Sequence, residues 1–374
     1  MEKALHIISL TVPYPVDYGG VFDLFYKLPA LQQQGVKIHL HCFDYGRGRR
    51  RELERYCESV YYYERTNQFF SGLPYIVSGR KNEELFRRLL ADDHPILMEG
   101  IHCTALLNDP RFSNRKKLVR LHNVESDYYN ELFHAATHPL KKIYYWRESR
   151  LLAAYEKRIA GRAAFLAVTP KDLGRFKEKT GAVNVSYLPL FLPPWQVNPA
   201  EGMGGYCLYQ GDLSVDANIR AVSWLAKEVF AAVDISLKIA GKNPPSSLKR
   251  LVKQYRNLTL IPDPSEDRLN ELIREAHINI IPSFSYSGIK LKLLNALYNG
   301  RHCVVNEASV TGTGLEPLCH IANTTDHMRD TVEQLYFQPF RKEEAQEREA
   351  LLGTMFNNTA SAKKILELAG ISDA

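Results

Sequence analysis

Short apolar runs alternate with amphipathic runs along the chain, and the alternation predicts the elements before any single residue is weighed. Ala4–Leu10 is a short apolar run and predicts a strand. Over Gly20–Gln34 the apolar residues Val21, Leu24, Phe25, Leu28 and Leu31 recur at helical spacing, and Gly35 ends the helix. Val36–Phe43 predicts the next strand, followed by Val60–Tyr63, Ile96–Met98, Leu118–Leu121, Ala164–Val168 and Asn184–Leu188. A charged helix is predicted over about Lys141–Ala160, stopped by Gly161.

The pattern then breaks. Pro189, Pro193, Pro194 and Pro199 are followed by Gly202, Gly204 and Gly205, a stretch that can neither continue a helix nor sit in a central strand. Beyond it the alternation resumes. Strands are predicted at Tyr206–Tyr209, Ser236–Ile239, Leu258–Ile261, Ile278–Pro282 and His302–Val305. Helices are predicted at Asn218–Ala231, Ser246–Tyr255, Asp267–Ala276 and Ile289–Asn299, with two more near Arg341–Leu352 and Asn357–Leu368. Strands alternating with helices imply parallel sheets covered on both faces. The fold class expected is therefore α/β, with two doubly wound Rossmann-like domains. The boundaries expected are 1–195, a linker at 196–205, a second domain at 206–338, and C-terminal helices at 339–374 that pack back across the junction.

Length agrees, since 374 residues exceed one ordinary core. No run reaches the roughly 18 apolar residues of a membrane span, and the N-terminus lacks the apolar core and cleavage site of a signal peptide. A cytoplasmic protein is expected. The six cysteines form no C-x-x-C pair and are not spaced with histidines as a zinc site would be, so buried, reduced thiols are expected. The formal net charge is +6, with Arg47, Arg49, Arg50 and Arg51 clustered. No aromatic interleaving or nucleic-acid motif accompanies the cluster, so no nucleic-acid partner is expected. Four arginines near anionic lipid would contribute about 1 kcal/mol each, which leaves room for weak peripheral contact with the inner face of a membrane. The plain alternative is a solvated loop.

Open parallel sheets bind ligands outside the carboxyl ends of their strands, and two facing domains would share a central cleft. After the first strand, Gly19 and Gly20 open a helix and would let an anion approach its free N–H groups, though they also suit a tight turn. His102 and His122, the latter followed by Asn123, lie just past neighbouring strand ends, where each could bond a substrate, move a proton, or satisfy local backbone. After the strand Ile278–Pro282, a helix opens with Gly288, Ile289, Lys290 and Lys292. Two cations there oppose the helix dipole unless an anion docks on the N–H groups, and a diphosphate fits. The alternative is a later helix start, or lysines turned to solvent. Lys242 follows another strand on the same side of that sheet.

In order and spacing these segments resemble glycosyltransferase family 4, a group of retaining GT-B enzymes. The resemblance rests on Pro13-Tyr14-Pro15 with Gly19-Gly20, and on Arg120-Leu121-His122-Asn123-Val124-Glu125. It continues through Gly211-Asp212-Leu213-Ser214 with Asn218, Leu237-Lys238-Ile239-Ala240-Gly241, and the Gly288–Leu297 segment. It implies an acceptor-binding first domain and a second domain holding a nucleoside diphosphate sugar, UDP- or GDP-linked. No metal or other cofactor is implied, and the acceptor, not identified by the sequence, would be a glycan or lipid-linked. By this resemblance Gly19 and Gly20 approach the donor phosphates and His122 lies near the transferred sugar, with His102 and Asn123 on the sugar or acceptor side. Lys290 and the N–H groups after Gly288 hold the diphosphate.

Two departures stand out. Where the family carries glutamates that contact the donor sugar and the ribose, this chain has Ser287 and Asn295. Asn295 can still accept a ribose hydrogen bond, but without charge. Sugar transfer with retention is the function expected. A catalytically weakened nucleotide-binding subunit and a nucleotide-sugar epimerase are the alternatives.

Overall fold

The computed structural model describes residues 3–17, 19–66, 72–136, 138–286 and 288–371. The chain divides into two compact units: one is Pro194–Met355, the other takes the residues up to Pro193 and those from Phe356 onward.

In unit 1 the chain runs β1 (Ala4–Ser9), α1 (Gly19–Gln32), β2 (Lys37–Asp44), β3 (Ser59–Glu64), α2 (Tyr75–Ser78), α3 (Glu83–Leu89), β4 (Ile96–Glu99) and β5 (Lys117–Leu121). It continues through α4 (Glu125–Ala135), α5 (Pro139–Ile159), β6 (Ala164–Ala167), α6 (Pro170–Thr180) and β7 (Val185–Tyr187). The seven strands form one parallel sheet in the order β3-β2-β1-β4-β5-β6-β7. Successive strand residues point to opposite faces. Leu5, Ile7, Leu97 and Leu118 enter one core with α1, while Ile8, Met98 and Val119 enter the other with Phe86 of α3 and Leu152 of α5. Because both faces are covered, the central strands β1, β4, β5 and β6 are largely apolar rather than alternating.

Unit 2 repeats the plan with β8 (Cys207–Gln210), α7 (Asp216–Trp224), β9 (Leu237–Gly241), α8 (Ser246–Val252), β10 (Leu258–Pro262), α9 (Glu266–Glu275) and β11 (Ile278–Ile281). Then come α10 (Leu291–Asn299), β12 (His302–Val305), α11 (Glu307–Val310), β13 (His320–Ile321), α12 (Thr325–Tyr336) and α13 (Lys342–Met355). Its sheet is parallel in the order β10-β9-β8-β11-β12-β13. Both sheets are the doubly wound α/β type expected. β9 reaches two residues further than the pattern suggested. Gly241 ends it against Gly211, and a Cβ there would fall 1.8 Å from the Gly211 carbonyl oxygen.

Two boundaries differ from the expectation. Residues 196–205 are held on unit 2. Gly202 bridges Phe340, Asn198 N–H donates to the Tyr298 carbonyl, and Gly204 N–H donates to His277 Nδ1 at 3.0 Å. The trailing helices are divided, for α13 belongs to unit 2 and the last helix, α14 (Asn358–Ala369), to unit 1. α14 buries Ala362, Ile365 and Leu366 in the core that holds Leu24 and Leu28 of α1, and Asn358 exchanges two hydrogen bonds with the Leu192 backbone. Among the described residues no helix is long and apolar enough to cross a membrane.

Candidate active site

In unit 1 the strand order reverses between β1 and β4, and in unit 2 between β8 and β11. The loops leaving those strands are where a doubly wound sheet offers a crevice to ligands. Each unit therefore presents its own candidate crevice.

In unit 1, Gly19 and Gly20 form the first turn of α1, with Gly19 exposed. One turn on, α1 carries Asp23 and Lys27, both fully buried. Lys27 Nζ donates to Asp23 Oδ2 at 3.1 Å and to Glu99 at the end of β4. Arg120 of β5 donates through Nε and Nη2 to the two oxygens of Asp23, each at 2.9 Å, and through Nη1 to the Leu188 carbonyl. Phe191 N–H also donates to Asp23. Two carboxylates thus face two cations, with every bond short and burial complete. Arg120 and Lys27 hold the Asp23 carboxyl far below the usual range against its desolvation, and Lys27 and His122 lower that of Glu99. Burying such a network is costly unless charge and hydrogen bonds both balance, and here they do.

His122 stands at the rim of this cluster, 16% exposed, with Nε2 3.1 Å from Glu99 Oε2. An ionised carboxylate only accepts, so the Nε2 proton is the one donated to Glu99. The ring is thereby held on the protein side through Nε2, and Nδ1 is the nitrogen left for a ligand. Asp23, Glu99 and His122 also have ligand atoms within 4.8 Å of one another, as a metal site would. The Lys27 ammonium already bonds both carboxylates, however, so the cluster has its cation.

His102 follows β4 in a short 3-10 turn. Its Nδ1 is buried without a hydrogen-bond partner and lies 2.9 Å from the position of a Cβ on Gly100, whose φ is 75°. Only glycine suits that position, which must both turn left-handed and admit the ring. Burial, then repulsion from Arg80 and His122, pushes His102 well below the usual histidine range, so it is a neutral ring. Asn123 hydrogen-bonds Glu125, whose carboxyl is pushed up to about 8 by burial and by repulsion from Glu156.

In unit 2, α10 starts at Leu291, two residues later than expected, with Lys290 as an extended N-cap whose side chain makes no cap. Gly288 is left-handed at φ 62°. Lys292 does not join Lys290 at the helix mouth. It turns inward, donating to Tyr209 Oη and Asn218 Oδ1 at 2.9 Å each, above the Tyr209 ring. Burial, then repulsion from Lys290, lowers its pKa to about 7. Ile289 is half-buried, and Ser287 lies outside the described residues. Lys242 is exposed just past β9. Asn295 is engaged within the protein, donating to Asn270 Oδ1 at 3.3 Å and accepting from Asn299 Nδ2 at 2.7 Å.

The structure brings His122 and His102 together at neighbouring strand ends of unit 1, and Gly288, Ile289, Lys290 and Asn295 along the α10 entrance of unit 2. Asp23, Lys27, Glu99 and Arg120 escaped the sequence reading. The readable signals were the i, i+4 spacing of Asp23 and Lys27 and two charges, Glu99 and Arg120, inside apolar strands. The arginine cluster is also organised. Arg47 pairs with Asp17 at 2.8 Å, while Arg49, Arg50 and Arg51 line a cavity of about 730 Å³ with Tyr62 and Arg88.

Residues 204–336 match the family model Glycosyl transferases group 1. A relative from Klebsiella pneumoniae, an uncharacterized 44.6 kDa protein in the cps region, is 28% identical over 328 residues, which is 82% of this chain and 84% of that one. Sucrose-phosphate synthase from Thermosynechococcus elongatus superimposes with a TM-score of 0.71 at 13% identity over 98% of each chain. HepE from Anabaena, solved with UDP and glucose, superimposes at 0.66 and 10% identity, over 99% of this chain and 100% of its own. The chain has the GT-B fold, and its match to the Glycosyl transferases group 1 model lies within its second unit.

Proposed function

We propose that this chain transfers a glycosyl group from a nucleoside diphosphate sugar, UDP- or GDP-linked, to a glycan or lipid-linked acceptor, with retention of configuration and without a metal in the transfer step. The observation that carries the reading is His122, held through Nε2 by the buried Glu99 carboxylate at a strand end of unit 1. Its Nδ1 would hydrogen-bond a hydroxyl of the transferred sugar and orient it. The family match over unit 2 and the GT-B neighbours support sugar transfer. The relative in a cps region supports polysaccharide assembly as the setting.

The barrier is departure of a diphosphate from an oxocarbenium-like carbon. What the protein must supply is stabilisation of charge growing on the leaving phosphate. Lys290 and the free N–H groups at the start of α10 would supply it, with Lys242 as a second cation and Gly19 and Gly20 admitting the phosphates closely. His102 and Asn123 would line the sugar or acceptor side. The chain would act in the cytoplasm, with the Arg49–Arg51 surface as a weak contact to the inner membrane face.

Asn295 favours a second reading. It stands where the resemblance puts a glutamate, and its amide is engaged by Asn270 and Asn299, so a catalytically weakened subunit that binds a nucleotide or a partner is the competitor. A thermal-shift panel with UDP, GDP, ADP, CMP and their sugar conjugates separates the two, followed by NMR of the product anomer with and without a chelator. Stabilisation by one nucleotide, with sugar release or transfer that survives chelation and retains configuration, is expected. Binding without turnover of any conjugate supports the subunit, and a flat panel at millimolar ligand overturns transfer and nucleotide binding alike.

A further inference from the structure

A second cluster of ligating side chains lies away from these loops, wholly within unit 2. His302 opens β12, His320 opens β13 and Glu344 lies in the first turn of α13. One ligand atom from each lies within 4.8 Å of the others. We propose that these three residues bind a divalent transition-metal cation of the zinc class, as a three-ligand site with a fourth position left to water.

The hydrogen bonds around the cluster support this. His302 is 2% exposed, and its Nε2 lies 3.0 Å from the Gln338 carbonyl oxygen. A carbonyl only accepts, so Nε2 bears the proton and Nδ1 bears the lone pair. That Nδ1 is buried and has no hydrogen-bond partner. It faces Glu344 Oε1 at 3.6 Å, so two electron-rich atoms look at each other across a gap. A cation between them resolves what would otherwise be repulsion and an unmet buried acceptor. The other carboxylate oxygen, Oε2, accepts from Arg341 N–H at 2.9 Å, which aims Oε1 at the gap. A ring nitrogen bonded to a carbonyl while its twin faces the ion is the usual support around a metal-bound histidine.

Size and chemistry agree. Zinc bonds of about 2.0–2.2 Å to nitrogen and oxygen put tetrahedral ligands roughly 3.4 Å apart, so the cluster needs to close by little more than 1 Å at its widest. Two imidazoles and one carboxylate suit zinc better than magnesium or calcium, which prefer all-oxygen shells. The neighbouring His277 is no ligand, because Gly204 N–H and the Leu335 carbonyl engage its two nitrogens. Arg348, one turn beyond Glu344, is directed to the Gly300 and Arg301 carbonyls. Water would reach the fourth position through a cavity of about 290 Å³ lined by His320, His327 and Gln338. The site sits at the N-terminal ends of β12 and β13, the opposite end of the sheet from the loops after β8 and β11. Its role is to clip α13 to the sheet, independent of sugar transfer.

The test uses the full chain without a histidine tag, stripped with chelator and titrated with Zn²⁺ alone by calorimetry. Co²⁺ is followed in parallel by its visible absorption. One equivalent bound, a raised melting temperature and the absorption of four- or five-coordinate cobalt are expected. His320→Ala and Glu344→Gln should each weaken binding by roughly tenfold or more. Metal-free melting curves show whether each variant folds, and His302→Ala serves where one does not. No stoichiometric uptake, or uptake that none of the three substitutions weakens, overturns the proposal. So does a loss of stability in Glu344→Gln without any effect of metal, since a proton on His302 would then fill the gap.

Discussion

Glu99 accepts the Nε2 proton of His122 at 3.1 Å while its other oxygen is held by Lys27, so one buried carboxylate links the charged core of unit 1 to the imidazole at its rim. Glu99→Gln removes one of the two negative charges and leaves Lys27 and Arg120 sharing Asp23 alone. Breaking a buried pair from one side costs about 3–5 kcal/mol, because the remaining charge stays desolvated. Urea denaturation should show a loss of that size, and Glu99→Gln combined with Lys27→Met should recover part of it. A loss under about 1 kcal/mol would mean that the network is not coupled to folding.

His122→Ala should lower turnover more than donor affinity. The ring is 16% exposed and makes its fixed bond on the protein side, so its removal takes away a hydroxyl contact without opening the core. One such hydrogen bond is worth about 1–1.5 kcal/mol, or roughly tenfold in rate. Turnover and donor binding measured side by side decide it, and normal turnover would remove His122 from the site.

Lys290→Ala should weaken binding of a nucleoside diphosphate about tenfold while leaving the fold intact, since Lys290 lies outside the helix it precedes. The effect should shrink as salt rises, because the contact is between charges near the surface. Unchanged affinity at low salt would place the diphosphate elsewhere.

Much of the fold was legible because both sheets are parallel and covered, so each strand appears as an apolar run between turn residues. Boundaries moved where a glycine does a strand's work. Gly241 reads as a loop residue, yet it ends β9 because only hydrogen fits against Gly211. The two-residue β13 is too short for any periodicity. Strand ends carrying His102 and His122 could be found, but their partners could not. Asp23 meets Arg120 across 97 positions and Lys27 meets Glu99 across 72, and no local pattern encodes such pairings. The direction of Lys292 was likewise hidden, since it depends on Tyr209 and Asn218 from other elements.

That direction gives the last prediction. Lys292 donates only to neutral partners, Tyr209 and Asn218, and burial pushes the Tyr209 phenol up so that it stays neutral too. No opposite charge is among these partners, and desolvation of the ammonium outweighs them, lowering the amine to about 7 from its ordinary 10.5. Between those two values the unfolded chain binds a proton that the native state does not. Stability contributed by this group therefore rises with pH across that window, by up to about 1.4 kcal/mol per pH unit, and is at its lowest below pH 7. Lys292→Met keeps the stem over the Tyr209 ring and removes the charge. Denaturant midpoints of the parent chain should climb from pH 7 to 9.5 more steeply than those of the variant, and the variant should be the more stable of the two at pH 6.5. Parallel profiles would mean that the amine stays charged and solvated.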